Sequence, residues 1–162
     1  MKTEELVAVC GLYCGACTMY RTLRENNEQK TAGLIQILKA RGMDYTAEEL
    51  KCDGCLANGR LTPFCRVCEI RLCPQNKDGV IRCADCPEFP CARITAFNND
   101  GNPHHAEVLE NCRRLKEDGI EKWAKSEEER WLCPQCKTQL SWYDMVCPKC
   151  GAPRSDKLFK MG

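Results

Sequence analysis

Six cysteine pairs spaced as C-x-x-C dominate the chemistry open to this chain: Cys14/Cys17, Cys52/Cys55, Cys65/Cys68, Cys83/Cys86, Cys133/Cys136 and Cys147/Cys150. Cys10, Cys73, Cys91 and Cys112 stand apart and bring the total to sixteen in 162 residues. Two thiolates separated by two residues reach one tetrahedral ion from a single tight turn, and two such turns complete a four-sulfur shell. The clearest instance is Cys133-Pro-Gln-Cys136, followed after ten residues by Cys147-Pro-Lys-Cys150-Gly151. This pattern predicts a zinc ribbon with ligands Cys133, Cys136, Cys147 and Cys150. Rubredoxin-type iron uses similar knuckles, but the ten-residue gap is short for it. A thioredoxin-like role for Cys133/Cys136 is weaker, because the second pair already explains the first.

The earlier cysteines are harder to group. Cys65-x2-Cys68-x4-Cys73 recurs as Cys83-x2-Cys86-x4-Cys91, each cysteine offset by 18 residues. Cys65, Cys68, Cys83 and Cys86 are the expected middle site. Cys14/Cys17 with Cys52/Cys55 would form another, and Cys10, Cys73, Cys91 and Cys112 a further one. Spacing alone leaves these groupings open, and Cys112, on an apolar helical face, reads equally as a small buried thiol. Several zinc ions are expected. An iron–sulfur cluster in the N-terminal or middle cysteines is the alternative, since thiolates serve both. Cys10-x3-Cys14-x2-Cys17 also has the spacing of radical S-adenosylmethionine enzymes, but those need most of an α/β barrel and this chain shows no strand–helix alternation. His104-His105 falls in the first turn of a predicted helix and is expected to be exposed. No nucleophile–base pair, Gly-rich phosphate loop or paired acids at catalytic spacing points to an enzyme.

The elements that must carry these turns read as mostly helical. Leu34, Ile35 and Leu38 share a helical face, with Gly42 a stop beyond Arg41. Thr46-Ala-Glu-Glu49 is a capping box that would open a short helix. Asn102 and Pro103 predict a helix start, Val108, Leu109, Cys112 and Leu115 its buried face, and Gly119 its end. Ile120–Arg130 is a second helix whose Glu127-Glu128-Glu129 run is expected on a solvated face. Thr138–Val146 suits a short hairpin. The expected fold is therefore a small metal-stapled protein, mostly α with short β-hairpins. Its expected parts are a cysteine-rich domain (1–100), a helical connector (101–130), the ribbon (131–154) and a frayed tail (155–162).

Apolar residues are sparse once cysteine is set aside, and so thin a core needs disulfides or metals. The N-terminal stretch does not read as a secretory signal and no run is long enough to span a membrane. A cytoplasmic location is expected, where clustered cysteines hold metal rather than disulfides. The formal charge is +1 with every thiol neutral. Four zinc–tetrathiolate sites would carry it to roughly −7, which disfavours a nucleic-acid-binding regulator built on Arg66, Arg71, Arg82, Arg93, Lys137 and Lys149. A protein partner is expected instead, with Trp131, Trp142 and Tyr143 as a candidate surface or as packing over the ribbon.

Taken in order, Cys10-Gly-Leu-Tyr-Cys14-Gly-Ala-Cys17, Cys52-Asp-Gly-Cys55, Cys65-Arg-Val-Cys68-Glu-Ile-Arg-Leu-Cys73 and Cys83-Ala-Asp-Cys86-Pro-Glu-Phe-Pro-Cys91 resemble the cysteine-rich prokaryotic family called domain of unknown function 3795. The resemblance covers about residues 7–98, and the stretch from Gly119 through the ribbon is similar to a tail that many members carry. It implies a cytoplasmic metal-binding protein with no established reaction.

Overall fold

The structure, a computed structural model, describes residues 3–25 and 27–154. The expected tail at 155–162 lies outside them. Seven α-helices occur among the described residues: α1 (Thr18–Arg24), α2 (Glu28–Ala40), α3 (Pro63–Arg66), α4 (Glu69–Leu72), α5 (Ala92–Asn98), α6 (Val108–Asp118) and α7 (Ile120–Arg130). Most are one or two turns long, because a cysteine turn interrupts the chain every few residues. The expected hairpins do not form. Among the described residues, extended pairing is limited to isolated bridges, Val7 with Tyr13, Leu132 with Gln139, and Val146 with Pro153. The last two each close around one C-x-x-C turn, so the chain turns back before a ladder can grow.

The main core forms where the N-terminal segment Val7–Tyr13 runs under α6 and α7. Val108, Cys112 and Leu115 of α6 and Trp123 and Ala124 of α7 pack there with Val7, Val9, Ile70, Ile94, Trp131 and Trp142. Gly119, at φ +78°, ends α6 and starts α7 in one residue, a backbone state that glycine adopts without steric cost. Gly11 turns the N-terminal segment at φ +86° and lets it approach α6: an added Cβ would stand 2.8 Å from Cys112 Sγ. A second, smaller core joins Leu34 and Leu38 of α2 to Leu50. Asn27 caps α2 by accepting from Lys30 N, and Gly42 at φ +78° follows its end as expected. The Thr46–Glu49 capping box forms, with Thr46 N donating to Glu49 Oε2 at 2.8 Å. It closes a single turn rather than a helix, because Leu50 immediately turns inward to be fully buried.

Two other expectations change. α6 starts at Val108, not at Pro103; a 3-10 turn at His105–Glu107 precedes it. Glu127 is 1 % exposed rather than solvated. It accepts from Arg114 Nη1 (3.1 Å), Arg130 Nη1 (3.2 Å) and Trp131 Nε1 (3.3 Å), and Arg130 continues to Glu107 at 2.6 Å. A carboxylate with three donors tolerates burial that an unpaired one would not.

Candidate metal centres

Two kinds of cysteine turn are present. At Cys14/Cys17, Cys65/Cys68 and Cys83/Cys86 the second cysteine's N–H donates to the first one's carbonyl (3.0, 3.4 and 3.2 Å). Each of these pairs spans one short helical turn. Cys17 then stands at the N-cap of α1 and Cys68 at that of α4. At Cys133 and Cys147 the loop is wider: the carbonyl accepts from Lys137 N (3.0 Å) and Gly151 N (2.9 Å) four residues on. Lys137 at φ +59° and Gly151 at φ +70° occupy the same place in the two knuckles. Each knuckle is closed by a cysteine N–H, from Cys133 to Thr138 O (2.8 Å) and from Cys147 to Ala152 O (2.7 Å).

The two wide knuckles face each other. Cys133 Sγ lies 3.6 Å from Cys150 Sγ, and Cys136 Sγ 3.5 Å from Cys147 Sγ. All four sulfurs fall within 4.8 Å of one another, a group able to bind a metal ion. A tetrahedron of thiolates at about 2.3 Å from one ion has edges of about 3.8 Å, so the quartet already has the dimensions of a one-ion shell. The hydroxyl and backbone N–H of Thr138 pull Cys136 down to about 6. Ala152 N–H also pulls Cys150 down, but the three neighbouring sulfurs and burial together push it up to about 12. Four thiolates at this separation repel one another, and a cation is what relieves the repulsion.

The other ligand candidates are regrouped by the fold. Cys55 is raised first by its hydrogen bond with Cys14, and Cys52 first by its bond with Cys65 and then by burial. Burial pushes Cys17 up to about 12, with Cys52 and Cys65 close enough to add to it. Cys10 is raised by burial and then by Cys55. Arg24 pins this group by donating to Cys52 O (2.9 Å) and Asp53 Oδ1 (2.9 Å). Cys73, Cys83, Cys86 and Cys91 instead line a separate small cavity. Of the expected quartet, Cys65 joins Cys52 and Cys55 while Cys83 and Cys86 line the cavity, and Cys68 is near enough to both Cys10 and Cys83 to act on each. The expected set Cys10, Cys73, Cys91 and Cys112 is divided too. Cys112 is fully buried and its thiol donates to Cys10 O at 3.4 Å, the arrangement of a small core residue.

Two residues near these centres escaped the sequence reading. Lys77 places Nζ 3.5 Å from Cys86 Sγ and 2.8 Å from Glu88. His104 is not exposed. Its ring stacks on Trp142 (4.2 Å, 21°) and its Nδ1 lies 2.5 Å from Tyr143 Oη, while His105 stacks on Phe97 at 3.8 Å. Burial, and next the nearby His105, push His104 down to about 3. Trp131 and Trp142 are buried in the main core, so they pack rather than present a surface. Arg82 is half-buried and donates to Val7 O (3.4 Å) and Glu4 O (3.3 Å), which removes it from any basic patch.

A mostly helical, cysteine-rich protein with a four-sulfur group suited to a metal is what the fold and these centres define. The chain belongs to the family described as protein of unknown function (DUF3795), whose profile matches residues 6–96. The matched stretch holds both regrouped cysteine sets and ends before the C-terminal quartet. No curated protein and no solved structure shows significant similarity to the chain. Among the described residues no helix is long and apolar enough to cross a membrane.

Proposed function

We propose that this chain is a multi-zinc protein of the cytoplasm, a structural or adaptor module whose ions take the place of a larger hydrophobic core. The observation that carries this reading is the quartet Cys133, Cys136, Cys147 and Cys150, four sulfurs already within one ion's reach. Four thiolates and no fifth donor suit a closed, structural zinc site rather than a catalytic one with an open position. The N-terminal cysteines, with Cys14, Cys55, Cys65 and Cys52 in successive hydrogen-bonded pairs, supply further thiolate ligands. An adaptor of this kind works by presenting a stapled surface to a protein partner. Elemental analysis of anaerobically purified protein tests it: zinc is expected in the wild type, with one equivalent lost in Cys133→Ser. A wild type free of bound metal, or a melting curve unchanged by a strong chelator, would end this reading.

A further inference from the structure

The cavity between the two cysteine repeats has a different character from the ribbon. Its walls are Cys73, Cys83, Cys86 and Cys91 with Pro74, Lys77, Val80, Phe89 and Ile94. Its volume is about 20 Å³. That exceeds the ~10–15 Å³ that admits a water, yet its walls offer a water little besides thiols and one ammonium to bond. The ammonium is placed: Lys77 Nζ points at Cys86 Sγ from 3.5 Å, and Glu88 holds it there from the outside at 2.8 Å. A lysine turned toward a thiol among apolar side chains answers a negative charge on the sulfurs.

The separation of the sulfurs distinguishes what would carry that charge. Among the described residues, the ribbon quartet is the group that brings three or more potential ligand atoms within 4.8 Å of one another. The cavity cysteines do not form such a group; they line a space between the two repeats. A single zinc draws four thiolates to edges of about 3.8 Å. A cluster of iron and sulfide places its own atoms between the thiolates and holds them farther apart, in apolar surroundings with N–H donors to sulfur.

We propose that Cys73, Cys83, Cys86 and Cys91 together hold an iron–sulfur cluster in this cavity, with Lys77 donating to the Cys86 sulfur. The assignment rests on reading the chain as a metal–thiolate protein, but it is independent of the ion in the ribbon. With four thiolates the cluster carries a charge of about −2 in its oxidised form, which Lys77 partly offsets. Lys77 then acts as a tuning residue: its positive charge favours the reduced cluster and raises the midpoint potential.

The full-length chain, purified without oxygen and reconstituted with ferrous iron and sulfide, provides the test. Iron and acid-labile sulfide are expected in equal amounts, with visible charge-transfer absorption, alongside ribbon zinc. Cys83→Ser and Cys91→Ser lose the iron and keep the zinc, whereas Cys133→Ser does the reverse. Lys77→Met keeps the iron and lowers the midpoint potential, and it decides the question if the serine variants do not fold. Three results overturn the proposal: no iron after reconstitution, iron retained in both serine variants, or a Lys77→Met potential equal to that of the wild type. Loss of zinc instead of iron from Cys83→Ser rejects the cluster but leaves the multi-zinc reading standing. A wild type that binds neither metal rejects both.

Discussion

At the level of single residues, most of the non-cysteine positions that matter here do so through close approach or burial. Gly11 combines φ +86° with a gap too small for a methyl beside Cys112. We predict that Gly11→Ala destabilises the fold by about 2–4 kcal/mol, from the left-handed backbone and from overpacking together. Urea denaturation at fixed metal loading measures it, and adding Cys112→Ala should recover only the overpacking part. His104 makes a pH-dependent contribution. The folded chain holds it neutral down to about 3, against the ordinary histidine value of 6.5. Between those values the unfolded chain takes up the proton and the folded chain does not, so acid favours unfolding. Wild type should lose up to about 1.4 kcal/mol per pH unit relative to His104→Phe between pH 6 and 4. Acid release of metal affects both proteins alike. Parallel stability curves for the two would rule out the buried neutral imidazole, whose other near neighbours are His105, Asp100 and Tyr143.

Between elements, α6 and α7 are joined by charge as well as by apolar packing. Glu127 of α7 receives Arg114 of α6, and Arg130 of α7 reaches Glu107 just ahead of α6. Removing the carboxylate leaves two guanidinium groups and the Trp131 N–H without it, so Glu127→Ala should cost about 3–5 kcal/mol. Glu127→Gln keeps an acceptor and should cost less. Equal melting midpoints for Glu127→Ala and wild type would show the network to be energetically idle. The sequence offered a run of three glutamates, and the helix expected over Ile120–Arg130 forms with those bounds. It did not tell which glutamate faces inward, because that depends on Arg114, thirteen residues earlier and on another helix.

Across the whole molecule, the ribbon has its own small cluster of Cys133, Leu140, Cys147 and Ala152, yet it does not stand alone. Trp131 and Trp142, which flank its first knuckle and its connecting loop, lie in the main core, and Trp142 N donates to Ala16 O at 2.8 Å beside the first cysteine turn. From spacing alone, Cys133→Ser would be expected to melt the ribbon and leave the rest intact. With two tryptophans shared between the parts, we predict instead that the variant lowers the melting midpoint of the entire chain. Tryptophan fluorescence and far-ultraviolet circular dichroism should change together, and a transition confined to the ribbon's signals would refute this coupling.

Spacing settles local matters, and the local matters it settled here are the C-x-x-C turns, the faces of α2 and α6, the glycine stops and the ribbon quartet. Each involves residues fewer than twenty positions apart, close enough for chain geometry to restrict them. Only the tertiary fold decided which distant sulfurs meet. Cys65 goes to Cys52 and Cys55 while its near neighbour Cys73 goes to Cys83, Cys86 and Cys91, because the packing of α4 sends the two ends of one motif to different places. Sulfur atoms of identical chemistry carry no label for their partners. Burial of the few apolar side chains, Ile70, Ile94 and the tryptophans among them, selects one pairing over the rest.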